Sequence, residues 1–229
     1  MSLTLTEKYR PHHLSDVRGQ ERVVQVLKGW LRDPFATVML FAGDTGTGKT
    51  SAALALAADL GCVPEQGELG GVHVIASGEQ NADGVRDAYA GAWVLPMVGS
   101  GWKTVIVNEA DRMTPAAETV WLDRLERLPP RTVIVFTTNH PDKLSDRFRD
   151  RCLTLTFDSN PNHLAAAACA LLGDVWLRET GARATPASLA RLVNSAAADG
   201  KFSFRRALQL LLPELLIAQA MNQEAPQCN

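Results

Sequence analysis

Apolar residues in this chain follow two rhythms, and the rhythm changes for good about two thirds of the way along. Short runs rich in β-branched and aromatic residues at 37–41, 72–76, 103–108, 131–138 and 153–157 predict strands. The runs at 103–108 and 131–138 are strands of the kind that is buried on both faces. Helical spacing separates them. At 20–31, Val23, Val24, Leu27 and Leu31 share one face; further helices are expected at 51–60, 84–93, 114–128 and 145–151. Thr114 and Pro115 suit a cap and a first turn, and Pro129-Pro130 stops that helix. Trp121 falls on its apolar stripe, which predicts a core position. Strands alternating with helices imply an α/β fold with a parallel sheet sandwiched by helices. After Phe157 only helices are expected, at 161–180, 186–198 and 203–221, with Pro213 kinking the last. The pattern divides the chain into an α/β domain at 1–158, a small three-helix domain at 159–222 and a frayed tail at 223–229.

Composition changes this picture little. The chain has 46% hydrophobic and 21% charged residues, ordinary for a globular protein. Its apolar runs are too short to span a bilayer, and the first residues lack the basic-then-apolar layout of a signal peptide, so a cytoplasmic protein without a membrane partner is expected. Cys62, Cys152, Cys169 and Cys228 lack zinc spacing and read as reduced thiols. A net charge of −2 gives no global basic signature, although a local basic stripe can still bind phosphates.

The chemistry concentrates after the first strand. Gly43-Asp44-Thr45-Gly46-Thr47-Gly48-Lys49-Thr50, followed by Ser51, fits G-x-x-x-x-G-K-[ST], between a predicted strand and a predicted helix. Glycines let backbone N–H groups curl around a phosphate, and the helix presents its positive end to the anion. Lys49 would reach the outer phosphates of ATP, and the Thr50 hydroxyl would coordinate Mg²⁺. The strand at 103–108 ends in Asn108-Glu109-Ala110-Asp111. An acidic pair in this place serves Mg²⁺ and the attacking water in P-loop ATPases, so Glu109 stands where a general base belongs.

These motifs join Tyr9-Arg10-Pro11, Val17-Arg18-Gly19-Gln20, Thr138-Asn139, Arg151-Cys152 and Arg205-Arg206-Ala207-Leu208 in an order that resembles AAA+ ATPases. The likeness runs from about Leu5 to Leu212 and is nearest to clamp-loader subunits: replication factor C small subunits, their phage counterparts and the bacterial γ type. The resemblance implies an ATPase that binds ATP and Mg²⁺ at interfaces within a ring of AAA+ subunits and acts in DNA replication. Tyr9, Arg10 and Val17 match the segment around adenine. Asn139 matches sensor 1, and Arg205 matches sensor 2, the lid arginine that reports the γ-phosphate. Arg151 resembles the arginine finger that reaches a neighbouring subunit's ATP. Two plainer readings stand beside these: Arg151 as part of a basic surface with Arg147 and Arg149, and Arg205 as a solvated helix residue.

Asn108 departs from the family pattern, in which an aspartate assists Mg²⁺. Asn keeps a carbonyl oxygen but lacks the full charge, so binding with slow hydrolysis is expected. Ser203-Phe204 likewise replaces the usual Gly-[Ser/Asp] before the lid arginine, and the family's helical collar does not follow within these residues. Arg86 matches an arginine that faces template phosphates of DNA in relatives; pairing with Asp83 or Asp87 is the plainer expectation. Trp93, Leu95, Met97 and Val98 lie where relatives present an apolar edge to a sliding clamp, against the simpler expectation that they pack onto their own sheet. Two further roles fit: a helper ATPase for helicase loading, transposition or recombination, and an assembly subunit that holds ATP while a sibling hydrolyses it.

Overall fold

The computed structural model describes residues 4–224. In chain order these form α1 (Leu5–Lys8), α2 (Glu21–Trp30), β1 (Thr37–Ala42), α3 (Lys49–Asp59), β2 (Val72–Ile75), α4 (Ala82–Ala92), β3 (Lys103–Val107), α5 (Pro115–Arg124), β4 (Thr132–Thr138), α6 (Asp146–Arg149), β5 (Leu153–Thr156), α7 (Pro161–Thr180), α8 (Pro186–Ala196), β6 (Ala197–Ala198), β7 (Lys201–Phe202) and α9 (Phe204–Glu224). By their contacts they fall into two units. One comprises Pro11–Gly43 and Gly48–Phe157, and the other, within the described residues, 4–10, Asp44–Thr47 and 158–224.

The first unit is built on a five-stranded parallel sheet in the order β2-β3-β4-β1-β5. The middle of each central strand is apolar on both pleat faces, and both faces are covered. Met39 and Phe41 of β1, Ile106 of β3 and Val133 and Val135 of β4 enter the core shared with α2 and α3. Val38, Leu40, Val105, Val107, Ile134 and Phe136 alternate with them and enter the opposite core, under α4 and α5. Trp121 is fully buried there, edge-on to Phe136 with ring centroids 5.1 Å apart, as its stripe predicts. Leu14 is fully buried in the first core and Val17 packs against it, which anchors the segment before α2. β5 is an edge strand with only Leu155 buried.

Thr114 Oγ1 caps α5 by accepting from Ala117 N at 3.1 Å. The helix ends at Arg124, earlier than the expected 128. Pro129 and Pro130 explain the difference: a residue before proline is forced out of the helical region, so the last turn unwinds ahead of it.

In the second unit α7, α8 and α9 pack around Leu164, Leu172, Val193, Phe202, Leu208 and Leu211, with Leu5 and Tyr9 against the same core. Strand structure does not stop at Phe157. β6 and β7 form a two-residue antiparallel hairpin. Its turn uses Asp199 and Gly200 at φ of 51° and 72°, and that backbone ends α8 at Ala196 rather than 198. α9 continues through Pro213 to Glu224, one turn beyond the expected end at 221. Of the expected tail at 223–229, residues 225–229 lie outside the described residues. Among the described residues no helix is long and apolar enough to cross a membrane.

Candidate nucleotide-binding site

The phosphate loop follows β1 because a strand ending in glycine leaves the sheet without a side chain in the way. Gly43 has φ of +152°, and a Cβ on it would lie 2.7 Å from Phe157 O. Gly48 has φ of +99° and opens α3; a Cβ there would meet nothing within 4 Å, so the space beside the helix N-terminus is open.

Lys49 is 8% exposed, unusually buried for a lysine. Its Nζ donates to Gly43 O at 2.7 Å and to Asn139 Oδ1 at 2.8 Å. The first partner lies at the end of β1 and the second just past β4, so adjacent strands of the sheet fix the ammonium between them. Next along α3, Thr50 Oγ1 donates to Asn108 Oδ1 at 2.8 Å. Thr137 Oγ1 also donates to Asn108 Oδ1, at 3.3 Å, and accepts from Glu109 N at 3.2 Å. A hydroxyl and an amide oxygen thus converge as hard oxygen donors of the kind that suits Mg²⁺. Among the described residues no group of three or more His, Cys, Asp or Glu side chains is placed to hold a metal.

Glu109 follows in the left-handed backbone region at φ of 56°. Its carboxylate pairs with Arg112 Nε at 3.1 Å across an exposed turn. Asp111 sits deeper, where its Oδ1 accepts from Thr138 Oγ1 at 2.7 Å and from Asn139 N at 3.3 Å. Burial alone would raise the Asp111 pKa, but these hydrogen bonds outweigh it and hold the carboxyl below its ordinary value. Asp111 therefore orients the backbone that carries the lysine's partner, Asn139.

Gln80 lies outside the sequence motifs, and Asp111 stands within one without a role assigned to it. The Gln80 side chain, 3% exposed, donates through Nε2 to Asn108 O, and its backbone carbonyl oxygen accepts from Thr114 N at 3.3 Å. It braces the end of β3 from the loop before α4. No local signal marks it, because both partners are distant in sequence.

The other expected residues of this unit lie elsewhere on it. Ser51 continues α3, half-buried. Arg151 pairs with Glu126 at 2.9 Å and donates to Arg147 O at 2.9 Å. Arg86 pairs with Asp83 at 2.5 Å, as the plainer expectation had it. Trp93, Leu95 and Met97 do not pack onto the sheet. They are 56%, 78% and 81% exposed, while the backbone of the segment is tied down by Met97 N and Val98 N, both donating to Leu69 O at 3.0 Å. Leu95 and Met97 line an apolar hollow of about 260 Å³ with Leu69, Val72, Val94 and the stem of Lys103.

The second unit holds the rest. Tyr9 OH donates to Glu179 Oε1 at 2.6 Å, and Lys8 Nζ donates to the same oxygen at 2.6 Å. Burial, and then the carboxylate beside it, push the Tyr9 phenol up to about 12. Arg10 pairs with Glu7. In the loop segment Asp44–Thr47, Thr47 Oγ1 donates to Asp44 O at 2.8 Å, and Gly46 O accepts from Phe204 N at 3.0 Å. Thr45 lies between them. Arg205 is exposed on the first turn of α9, its Cβ 3.4 Å from where a Cβ on Gly46 would stand.

Residues 19–161, more than half of the chain, match the family model of the DNA polymerase III delta subunit. A replication factor C small subunit of Thermofilum pendens is 35% identical over 156 residues, which are 68% of this chain and 47% of the relative. The chain spans about half the length of the curated relatives it matches. Among solved structures, the RuvB Holliday junction branch migration motor of Thermotoga maritima superposes with a TM-score of 0.69 at 20% identity, over 93% of this chain and 67% of that one. A DNA polymerase III gamma subunit-related protein of Thermotoga maritima does so with a TM-score of 0.61 at 20% identity, over 89% and 62%. The family match over residues 19–161 and the likeness to replication factor C small subunits place the chain: it belongs to the DNA polymerase III delta-subunit family of clamp-loader-type AAA+ proteins.

Proposed function

We propose that this chain is the ATP-binding part of a clamp-loader-type subunit in DNA replication, with slow hydrolysis of its own. The observation that carries the reading is Lys49, held by Gly43 O at 2.7 Å and Asn139 Oδ1 at 2.8 Å at the mouth of a phosphate loop. In that place an incoming phosphate exchanges neutral oxygen partners for a charged one, which favours binding. Gly43 to Ser51 would hold the phosphates. Thr50 and Asn108 would hold Mg²⁺, which when bound supplies charge to the transferring phosphoryl group. Tyr9, Arg10 and Val17 would flank adenine. Glu109 is the general base once its Arg112 partner is released, Asn139 positions the water, and Arg205 senses the γ-phosphate. Arg151, parked on exposed Glu126, is the cation offered to a neighbouring subunit. DNA would meet Arg86, and a sliding clamp would meet Trp93, Leu95 and Met97, whose exposure supports that surface.

ATPase assays with primer-template DNA and a clamp test this reading. Stimulation by both together is expected, and stimulation by DNA alone would favour a helper ATPase instead. Asn108 also favours a second reading, an assembly subunit that holds ATP while a sibling hydrolyses it. Absent hydrolysis alone, restored on mixing with a sibling, would establish that role.

A further inference from the structure

A phosphate loop attracts anions with backbone N–H groups, a helix N-terminus and a lysine. In this chain the second residue of the loop is Asp44, which places a carboxylate of the wrong sign on it. Neither carboxylate oxygen is left to repel. Oδ1 accepts from Lys201 Nζ at 2.6 Å, and Oδ2 accepts from Ser159 Oγ at 2.6 Å. Both partners are held in place. Lys201 opens β7, just after the tight Asp199-Gly200 turn, and Phe202 N donates to Ser159 O at 2.8 Å, so hairpin and serine move as one.

Two further features fasten the same loop segment. Phe204 N donates to Gly46 O at 3.0 Å. A Cβ on Gly46 would stand 2.0 Å from Ser203 Oγ, so glycine is required here by the approach of Ser203 as well as by its φ of +75°. The Lys201 pKa is raised, first by its hydrogen bond to Asp44 and then by the charge, as expected of an ammonium committed to that carboxylate.

We propose that Lys201, with Ser159, forms a clasp on Asp44 that cancels the loop's negative charge and fixes its tip in shape to receive a triphosphate. Lys201 is thus a positioning residue acting through Asp44. The inference rests on reading Gly43–Thr50 as the nucleotide site. Neutralisation of one charge beside a polyanion is a modest, screened effect, worth about fivefold in affinity at low salt.

Binding of a fluorescent ATP analogue with Mg²⁺, at low and high salt, tests it, with melting temperatures alongside. Lys201→Met is expected to weaken binding about fivefold at low salt and less at high salt. Lys201→Arg should retain most of the affinity, and the double change Asp44→Asn with Lys201→Met should recover most of what the single change loses, since no uncompensated carboxylate remains. Equal affinity of wild type and Lys201→Met overturns the clasp. So does a double variant no tighter than Lys201→Met, or a loss that salt leaves untouched and that only follows the melting temperature. Wild type unable to bind the analogue is a different failure: it removes the nucleotide-site reading and the clasp with it. Loss of binding in Lys49→Ala beside an intact wild type keeps the two apart.

Discussion

The strand ends and the outer surface of the same α/β unit treat charge in opposite ways. At the ends of β1, β3 and β4, Asn139 is bonded to both Lys49 and Asp111, and the Asn108 side chain to both Thr50 and Thr137, so each of these groups is tied to other segments of the chain. On the surface, Arg86, Arg112 and Arg151 each rest on one nearby acid: Asp83, Glu109 and Glu126. A group tied to several neighbours keeps its geometry without a ligand, and removing one member leaves the others without partners. An exposed pair is worth little and is readily exchanged. The strand ends are therefore held in shape without a partner, whereas the arginines can leave their acids when something outside the chain supplies a better anion.

Substitutions can break that contrast. The largest effect is expected from Lys49→Ala, a loss of about a hundredfold in ATP affinity, since charge-assisted bonds to phosphate are worth about 1.5–3 kcal/mol. Isothermal calorimetry would read it, and a loss under threefold would mean that the lysine is not the anchor. Asp111→Ala leaves Thr138 Oγ1 and Asn139 N without their acceptor and should destabilise the fold by about 1–3 kcal/mol in urea titration.

The pH dependence of Asp111 follows from its lowered pKa. A carboxyl whose folded pKa lies below the unfolded value stabilises the fold fully above the unfolded value, near 4, and loses that contribution as pH falls through the folded one. The gap between wild type and Asp111→Ala should be full at pH 7 and shrink in that acid range. A gap that is the same at pH 7 and below the carboxylate range would show that the charge plays no part.

Asn108→Asp is expected next, raising turnover about tenfold with little change in affinity, since a full charge beside the metal acts on the developing transition state. Equal rates would overturn the proposal that Asn108 slows hydrolysis. The smallest effect belongs to Arg86→Ala, within about 0.5 kcal/mol in stability because its ion pair is exposed. Its sharper readout is DNA binding: without the Arg86 guanidinium on a phosphate, the salt slope should fall by about one. An unchanged slope would leave Arg86 as Asp83's partner alone.

Legibility in the sequence followed locality. The sheet could be read because β1, β3 and β4 are contiguous apolar runs, and the phosphate loop because its chemistry needs consecutive residues. Asn108 and Asn139 were visible because each ends a strand. Gln80 was not, since its bond to Asn108 O spans β3, and neither was the role of Asp111, which depends on β4 lying beside β3. The β6–β7 hairpin escaped because strands of two residues have no periodicity to detect. The exposure of Trp93, Leu95 and Met97 ran against expectation, because an apolar residue does not announce whether its own sheet has room for it. The Asp44 clasp joins residues more than a hundred positions apart, beyond any local pattern.

Glu109 carries a different consequence. Its left-handed backbone is one that glycine or asparagine adopts more readily, at a saving of about 1 kcal/mol over glutamate. Directed evolution of this chain for heat resistance alone would therefore drift toward Gly or Asn at 109 and discard the proposed general base on the way. Persistence of glutamate through such a selection, with ATP turnover included in the screen, would measure how strongly catalysis outweighs foldedness at that one position.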